Sequence, residues 1–150
     1  MWLLMNNREK YEYWLDIAEY DLETARANYG SNRYLYVVFM CQQAVEKIVK
    51  GLHVLYIGEE ADRTHNIARV FNKIFNKEEN SKIIIDKEFD NKAKEYMDFF
   101  GELLYYYIAE RYPSYKEKLS TVISKDKAKS VLDKSEEVFV WLKSLSQYKG

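Results

Sequence analysis

Residues 32–57, NRYLYVVFMCQQAVEKIVKGLHVLYI, decide the fold. Apolar side chains fall at Leu35, Val38, Val45, Val49, Leu52 and Tyr56, with Gln42 in the one gap. The steps alternate three and four residues, the period of one helix face. A second apolar row, Val37, Cys41, Ile48 and Leu55, runs beside the first. A helix apolar over so much of its circumference belongs in the middle of a bundle. One strip stays polar: Gln43, Glu46, Lys47 and Lys50, spaced i, i+3, i+4, i+7.

The rest of the chain predicts helices that pack around this one. A first helix over about 8–29 carries Tyr11, Leu15, Ala18, Leu22, Ala25 and Tyr29 in one stripe, widened by Trp14 and Ile17. Gly30 is the candidate for a left-handed C-cap, and Ser31 or Asn32 for the N-cap of the next helix. So short a link implies an antiparallel hairpin. Thr64 reads as the N-cap of a third helix over 65–76, with Ile67, Val70, Phe71, Ile74 and Phe75 inward. The apolar run at 83–85 has strand propensity but no partner strand, so it reads as a plug against the core. A fourth helix over about 87–109 steps through Phe89, Ala93, Tyr96, Phe100, Leu103 and Tyr107. Pro113 stops it near Arg111. One helical turn around 116–122 precedes a fifth helix over about 125–145, marked by Ala128, Val131, Ser135, Val138, Leu142 and Leu145. The expectation is an all-α, antiparallel up-and-down bundle of four to five helices, in a single domain with its core over about 8–146.

Composition narrows the class. At 150 residues the chain can bury a sizeable core. A charged fraction of 31% with a net charge of −1 argues against disorder and against a wholly basic nucleic-acid binder, while leaving room for a local basic patch. One cysteine excludes an internal disulfide and fits a reducing cytoplasm. The apolar opening of residues 1–5 is broken by Asn6, Asn7 and Arg8, too short for a signal segment or a membrane span. Five glycines and one proline favour long helices with few turns.

Standard catalytic and metal motifs are missing. There is no Gly-rich phosphate loop, and the two histidines, His53 and His65, form no His-x3-His pair. No cofactor or metal is expected. The helix-two strip reads as a solvated face with an i, i+4 Glu46–Lys50 ion pair, contributing a few tenths of a kcal/mol. Its functional reading is an anion-binding strip, with Lys47 as a second cation. Arg111 is electrostatically comfortable at a helix C-terminus, and a guanidinium at such an edge also clamps phosphate in two places. His65, just after Thr64, either covers the loop and donates to a backbone carbonyl or, as a poor cation at a helix start, serves as a base. The fourteen tyrosines read as core and interface aromatics, with a base-stacking surface as the alternative.

Four stretches, in order, resemble the HEPN domain, an all-helical module named for its occurrence in higher eukaryotes and prokaryotes and for nucleotide binding. Ala18-x-x-Asp21-Leu22-x-x-Ala25 is similar to the family's first helix. Gln42-Gln43-Ala44-x-Glu46-Lys47-x-x-Lys50-x-Leu52 is similar to its second. His65-Asn66-Ile67 matches the entry of the next helix, and Arg111-Tyr112-Pro113 the end of the fourth. The resemblance covers roughly 13–145 and implies a homodimer. It also implies, for many members, toxins that cleave RNA through an Arg-x4–6-His motif without a metal, the arginine holding the scissile phosphate. Prokaryotic members commonly pair with a minimal nucleotidyltransferase as antitoxin. Arg111 stands at the arginine position, but Lys116, Glu117 and Lys118 stand where the histidine should be. Lysine is a poor proton shuttle at neutral pH. The departure weighs against ribonuclease activity.

The sequence therefore points to a cytoplasmic, membrane-free HEPN protein that binds a nucleotide or RNA phosphate beside a nucleotidyltransferase partner in a toxin–antitoxin-like pair. Its expected site is Arg111, Tyr112, Lys47, Lys50, Glu46 and His65. This holds only if the polar strip of helix two faces the end of helix four. One alternative is a metal-independent RNase using other groups around Arg111, such as Tyr112 and Glu110. Another is a non-catalytic dimerisation or interaction module.

Overall fold

The computed structural model describes residues 2–75, 87–111 and 123–148. Its helices are α1 (Asn7–Gly30), α2 (Tyr34–Ile57), α3 (Ile67–Ile74), α4 (Lys87–Arg111) and α5 (Lys125–Ser144), with short 3-10 turns at Trp2–Leu4 and Leu145–Tyr148. There is no strand among the described residues. The run at 83–85 and the turn at 116–122 lie outside them.

Ion pairs and hydrogen bonds fix the directions of the helices. Tyr11 and Trp14 of α1 meet Gly51 near the end of α2, while Ser31–Arg33 join the other ends, so α1 and α2 are antiparallel. Lys143 reaches Glu19 at 3.1 Å and Glu136 reaches Arg26 at 2.7 Å, setting α5 antiparallel to α1. Lys127–Glu102 and Lys134–Glu95, both 2.7 Å, set α4 antiparallel to α5. These exposed pairs report register more than stability. α2 lies in the middle: Val37, Val38, Cys41, Ala44, Val45, Ile48, Val49, Leu52 and Leu55 are all buried. All five helices contribute to the same buried cluster. Its aromatic end joins Phe71 of α3 to Phe89 and Phe100 of α4 and Trp141 of α5.

The caps differ from the sequence expectation in three places. Gly30 is the last residue of α1, and the left-handed residue is Asn32, at φ 60°. Asparagine tolerates that region because its short side chain bonds locally. Here its Oδ1 accepts from the Tyr34 hydroxyl at 2.9 Å, which leaves α2 with Arg33 as N-cap and no side-chain cap. The N-cap of α3 is Asn66, whose side chain accepts from the Arg69 N–H at 3.2 Å. Thr64 instead accepts from the Asn66 N–H, so it shapes the turn ahead of the helix. His65 therefore precedes α3 and is not in its first turn. Gly58 does close α2 as a left-handed C-cap, at φ 88°.

Gly51 sets how closely α1 approaches α2. A Cβ there would lie 2.8 Å from the Trp14 Cβ and 3.3 Å from the Tyr11 ring, and the first of these is not a flexible tip. Alanine gains about 1 kcal/mol of helix propensity, whereas overpacking costs about 1–3 kcal/mol. Gly51→Ala should lose about 1 kcal/mol net and lower Tm by roughly 2–4 °C; a higher Tm would contradict the close approach.

Burial also dictates an alkaline limit. It pushes the Cys41 thiol up to about 12 and the Tyr56 phenol up to about 12, and the Tyr56 hydroxyl donates to the Leu145 carbonyl. Above their ordinary values of 9.0 and 10.0 the unfolded chain has lost protons that the folded chain keeps. Stability must therefore fall as pH rises through that window. The urea midpoint should drop steadily between about pH 9 and 11, and a flat profile would contradict the burial.

Candidate functional site

Because α2 is enclosed, its polar strip is not a solvated face. Glu46 is only 5% exposed and Gln42 is fully buried. Three donors converge on the Glu46 carboxylate. Gln42 Nε2 donates to Oε1 at 2.8 Å, one turn before it. Lys50 Nζ donates to Oε2 at 3.1 Å, one turn after it. His65, from the segment between α2 and α3, brings Nδ1 to Oε1 at 2.9 Å. Gln42 Nε2 also reaches the His65 carbonyl at 3.5 Å, and Gln43 Nε2 donates to Gln42 Oε1 at 2.6 Å. A buried charge needs this density of partners, since an uncompensated carboxylate costs several kcal/mol.

The Glu46 contact fixes the tautomer of His65. An ionised carboxylate only accepts, so Nδ1 carries the hydrogen, and in the neutral ring Nε2 holds the lone pair. Nε2 has no hydrogen-bond partner among the described residues, and the side chain is 44% exposed. The ring lies on Tyr107 of α4, centroids 4.1 Å apart and planes 26° from parallel. One turn further along α4, the Arg111 guanidinium sits 4.8 Å from the centre of the same Tyr107 ring. Guanidinium and imidazole are thus separated by no more than the sum of those two distances. Phe39 of α2 stacks on Tyr107 as well, at 6.2 Å.

The structure therefore joins Glu46, Lys50 and His65 directly, and links Arg111 to them through Tyr107. The helix-two strip and the end of helix four share one face of the protein. Lys47 is held elsewhere, by Asp21 of α1 at 2.6 Å. Tyr112 lies outside the described residues, as does the side chain of Glu110. Sequence reasoning missed Tyr107 as the link, because its place in an apolar stripe made it one more core aromatic. It also missed Asp21 and Gln42 as partners, although an acid and an amide on buried faces are themselves the signal. His53 is a separate case: it is buried, with Nδ1 2.7 Å from the Glu59 carbonyl, and takes no part in the cluster.

Two other features bear on chemistry. A groove of about 540 Å³ between α4 and α5 is lined by Asp98, Glu102, Asp133, Lys134 and Glu137, and its acidic lining repels phosphate. Among the described residues there is no group of three or more His, Cys, Asp or Glu side chains placed to hold a metal ion. No described helix is long and apolar enough to cross a membrane.

Fold and site define an all-helical protein with a buried carboxylate network that opens onto an arginine at a helix end. A sequence model of the HEPN domain matches residues 11–145, and the chain belongs to that family. Membership supports a nucleotide- or RNA-related function in general. No curated protein and no solved structure matches the chain.

Removing the carboxylate tests the network. Glu46→Ala leaves a buried ammonium and two donors without their acceptor, a loss of about 3–5 kcal/mol by analogy with broken buried pairs. The urea midpoint should fall strongly while the slope stays constant; a change under about 1 kcal/mol would mean that water replaces Glu46 freely.

Proposed function

We propose that the face built from Arg111, Tyr107, His65, Glu46 and Lys50 binds a phosphate group of RNA or of a nucleotide. The observation that carries this reading is the double use of the Tyr107 ring, which holds the Arg111 guanidinium and the His65 imidazole side by side. A guanidinium lying over an aromatic face keeps its planar fork of N–H donors, the geometry that matches phosphate. Charge also favours it. Lys47 is neutralised by Asp21 and Lys50 by Glu46, so Arg111 supplies the positive excess. In this reading the protein acts in the cytoplasm as a homodimer beside a minimal nucleotidyltransferase, in a toxin–antitoxin-like pair. That part is supported by family membership together with the Arg111-Tyr112-Pro113 motif.

A second reading has its own observation. Tyr105 and Ile108, on the last turns of α4 before Arg111, are 56% and 46% exposed. Exposed aromatic and aliphatic groups beside an arginine suit a protein interface as well.

Binding of a fluorescent single-stranded RNA separates the two. Arg111→Ala should weaken it about tenfold at low salt and flatten the salt dependence by about one unit of slope. Lys47→Ala should change it less than about threefold, since that ammonium is already paired. Unchanged binding in Arg111→Ala, with an altered mass by light scattering, would favour the interface.

A further inference from the structure

We infer that His65 and Glu46 are a proton-transfer pair that cleaves RNA at the phosphate held by Arg111. The inference rests on the phosphate-binding reading and adds chemistry to it. The pair is drawn from α2 and the segment before α3, not from the stretch after Arg111.

Three features of His65 fit the role. Glu46 accepts its Nδ1–H at 2.9 Å, which directs the Nε2 lone pair away from the carboxylate. A buried carboxylate holding the far nitrogen orients an imidazole and stabilises the imidazolium that forms when Nε2 takes a proton. Tyr107 stacks on the ring at 4.1 Å, so the ring plane is set as well as its tautomer. Nε2 is left without a protein partner on a side chain 44% exposed, within reach of a bound molecule. A histidine serving structure alone would be expected to use both nitrogens or to bury the second.

The step balances without a further reagent. His65 Nε2 accepts the proton of a ribose 2′-hydroxyl. The 2′-oxygen forms a bond to phosphorus, and the bond from phosphorus to the 5′-oxygen of the next nucleotide breaks. Arg111 pairs with the non-bridging oxygens as charge builds on them. Water on the open side protonates the departing 5′-oxygen, and Nε2 returns its proton to solvent. The products are a 2′,3′-cyclic phosphate and a 5′-hydroxyl end.

The test uses the full chain, excess chelator and a single-stranded RNA carrying a fluorophore and a quencher. Binding is measured in parallel with the 2′-deoxy version of the same strand, which lacks the attacking hydroxyl. Wild type should cleave to the cyclic phosphate. His65→Asn keeps an amide donor toward Glu46 but has no base; it should cleave at least ~100-fold more slowly. It should bind the deoxy strand within about threefold of wild type. Free imidazole should restore part of the rate in His65→Ala, which no structural role of His65 predicts. Cleavage at the wild-type rate in His65→Asn overturns the inference. So does tight binding by wild type without cleavage, in which case the binding reading survives alone. Failure of wild type to bind either strand overturns both.

Discussion

The enclosure of α2 is the constraint on which the rest depends. A helix surrounded by α1, α3, α4 and α5 has no solvent for its polar side chains, so each must find a partner inside the protein. Glu46 meets that demand with Gln42 and Lys50 from its own helix and His65 from outside it. Lys47 meets it with Asp21. These contacts do more than satisfy charge. The His65 contact, together with the Gln42 amide on the His65 carbonyl, pins the segment that leads from α2 into α3. The position of His65 is therefore a consequence of burying a carboxylate, and the site is an outcome of the packing.

The bundle was legible because its signal is periodic. The three–four stepping of apolar residues in α1, α2, α4 and α5 places the observed buried faces, from Ala18 and Leu22 to Val131 and Val138. Ends were less legible, since capping is a competition among nearby polar side chains. Asn32 was a reasonable N-cap until the Tyr34 hydroxyl occupied its Oδ1, and Thr64 until Asn66 took the cap. Composition cannot rank such rivals, because each bond contributes only about 1 kcal/mol.

The candidate site was half legible. Arg111, Glu46, Lys50 and His65 stood out by residue type and motif, yet a Gln-Glu-Lys strip has the composition of a wet surface. Its burial depends on partners 19 and 26 residues away, which no local pattern encodes. Tyr107 was hidden more thoroughly. It sits in the apolar stripe of α4 and is 7% exposed, so nothing in its spacing separates it from Phe100 or Leu103. Only the crossing of α4 over the α2–α3 segment turns that core aromatic into the surface that holds both an imidazole and a guanidinium.

That arrangement bears on what the missing histidine means. A base is useful through the direction of its lone pair and its distance from the proton, not through its separation from an arginine along the chain. Here the direction is set by two rigid helices: α2 fixes one ring nitrogen through Glu46, and α4 fixes the ring plane through Tyr107. A histidine carried on a short segment after Arg111 would depend on that segment for its aim. The division of charge follows the same logic. Lys50 is committed to Glu46 and only 14% exposed, so it balances the carboxylate and leaves the anion-facing charge to Arg111. A cation that neutralises the buried acid, a second that faces outward and a ring between them form an order that the enclosed helix itself imposes.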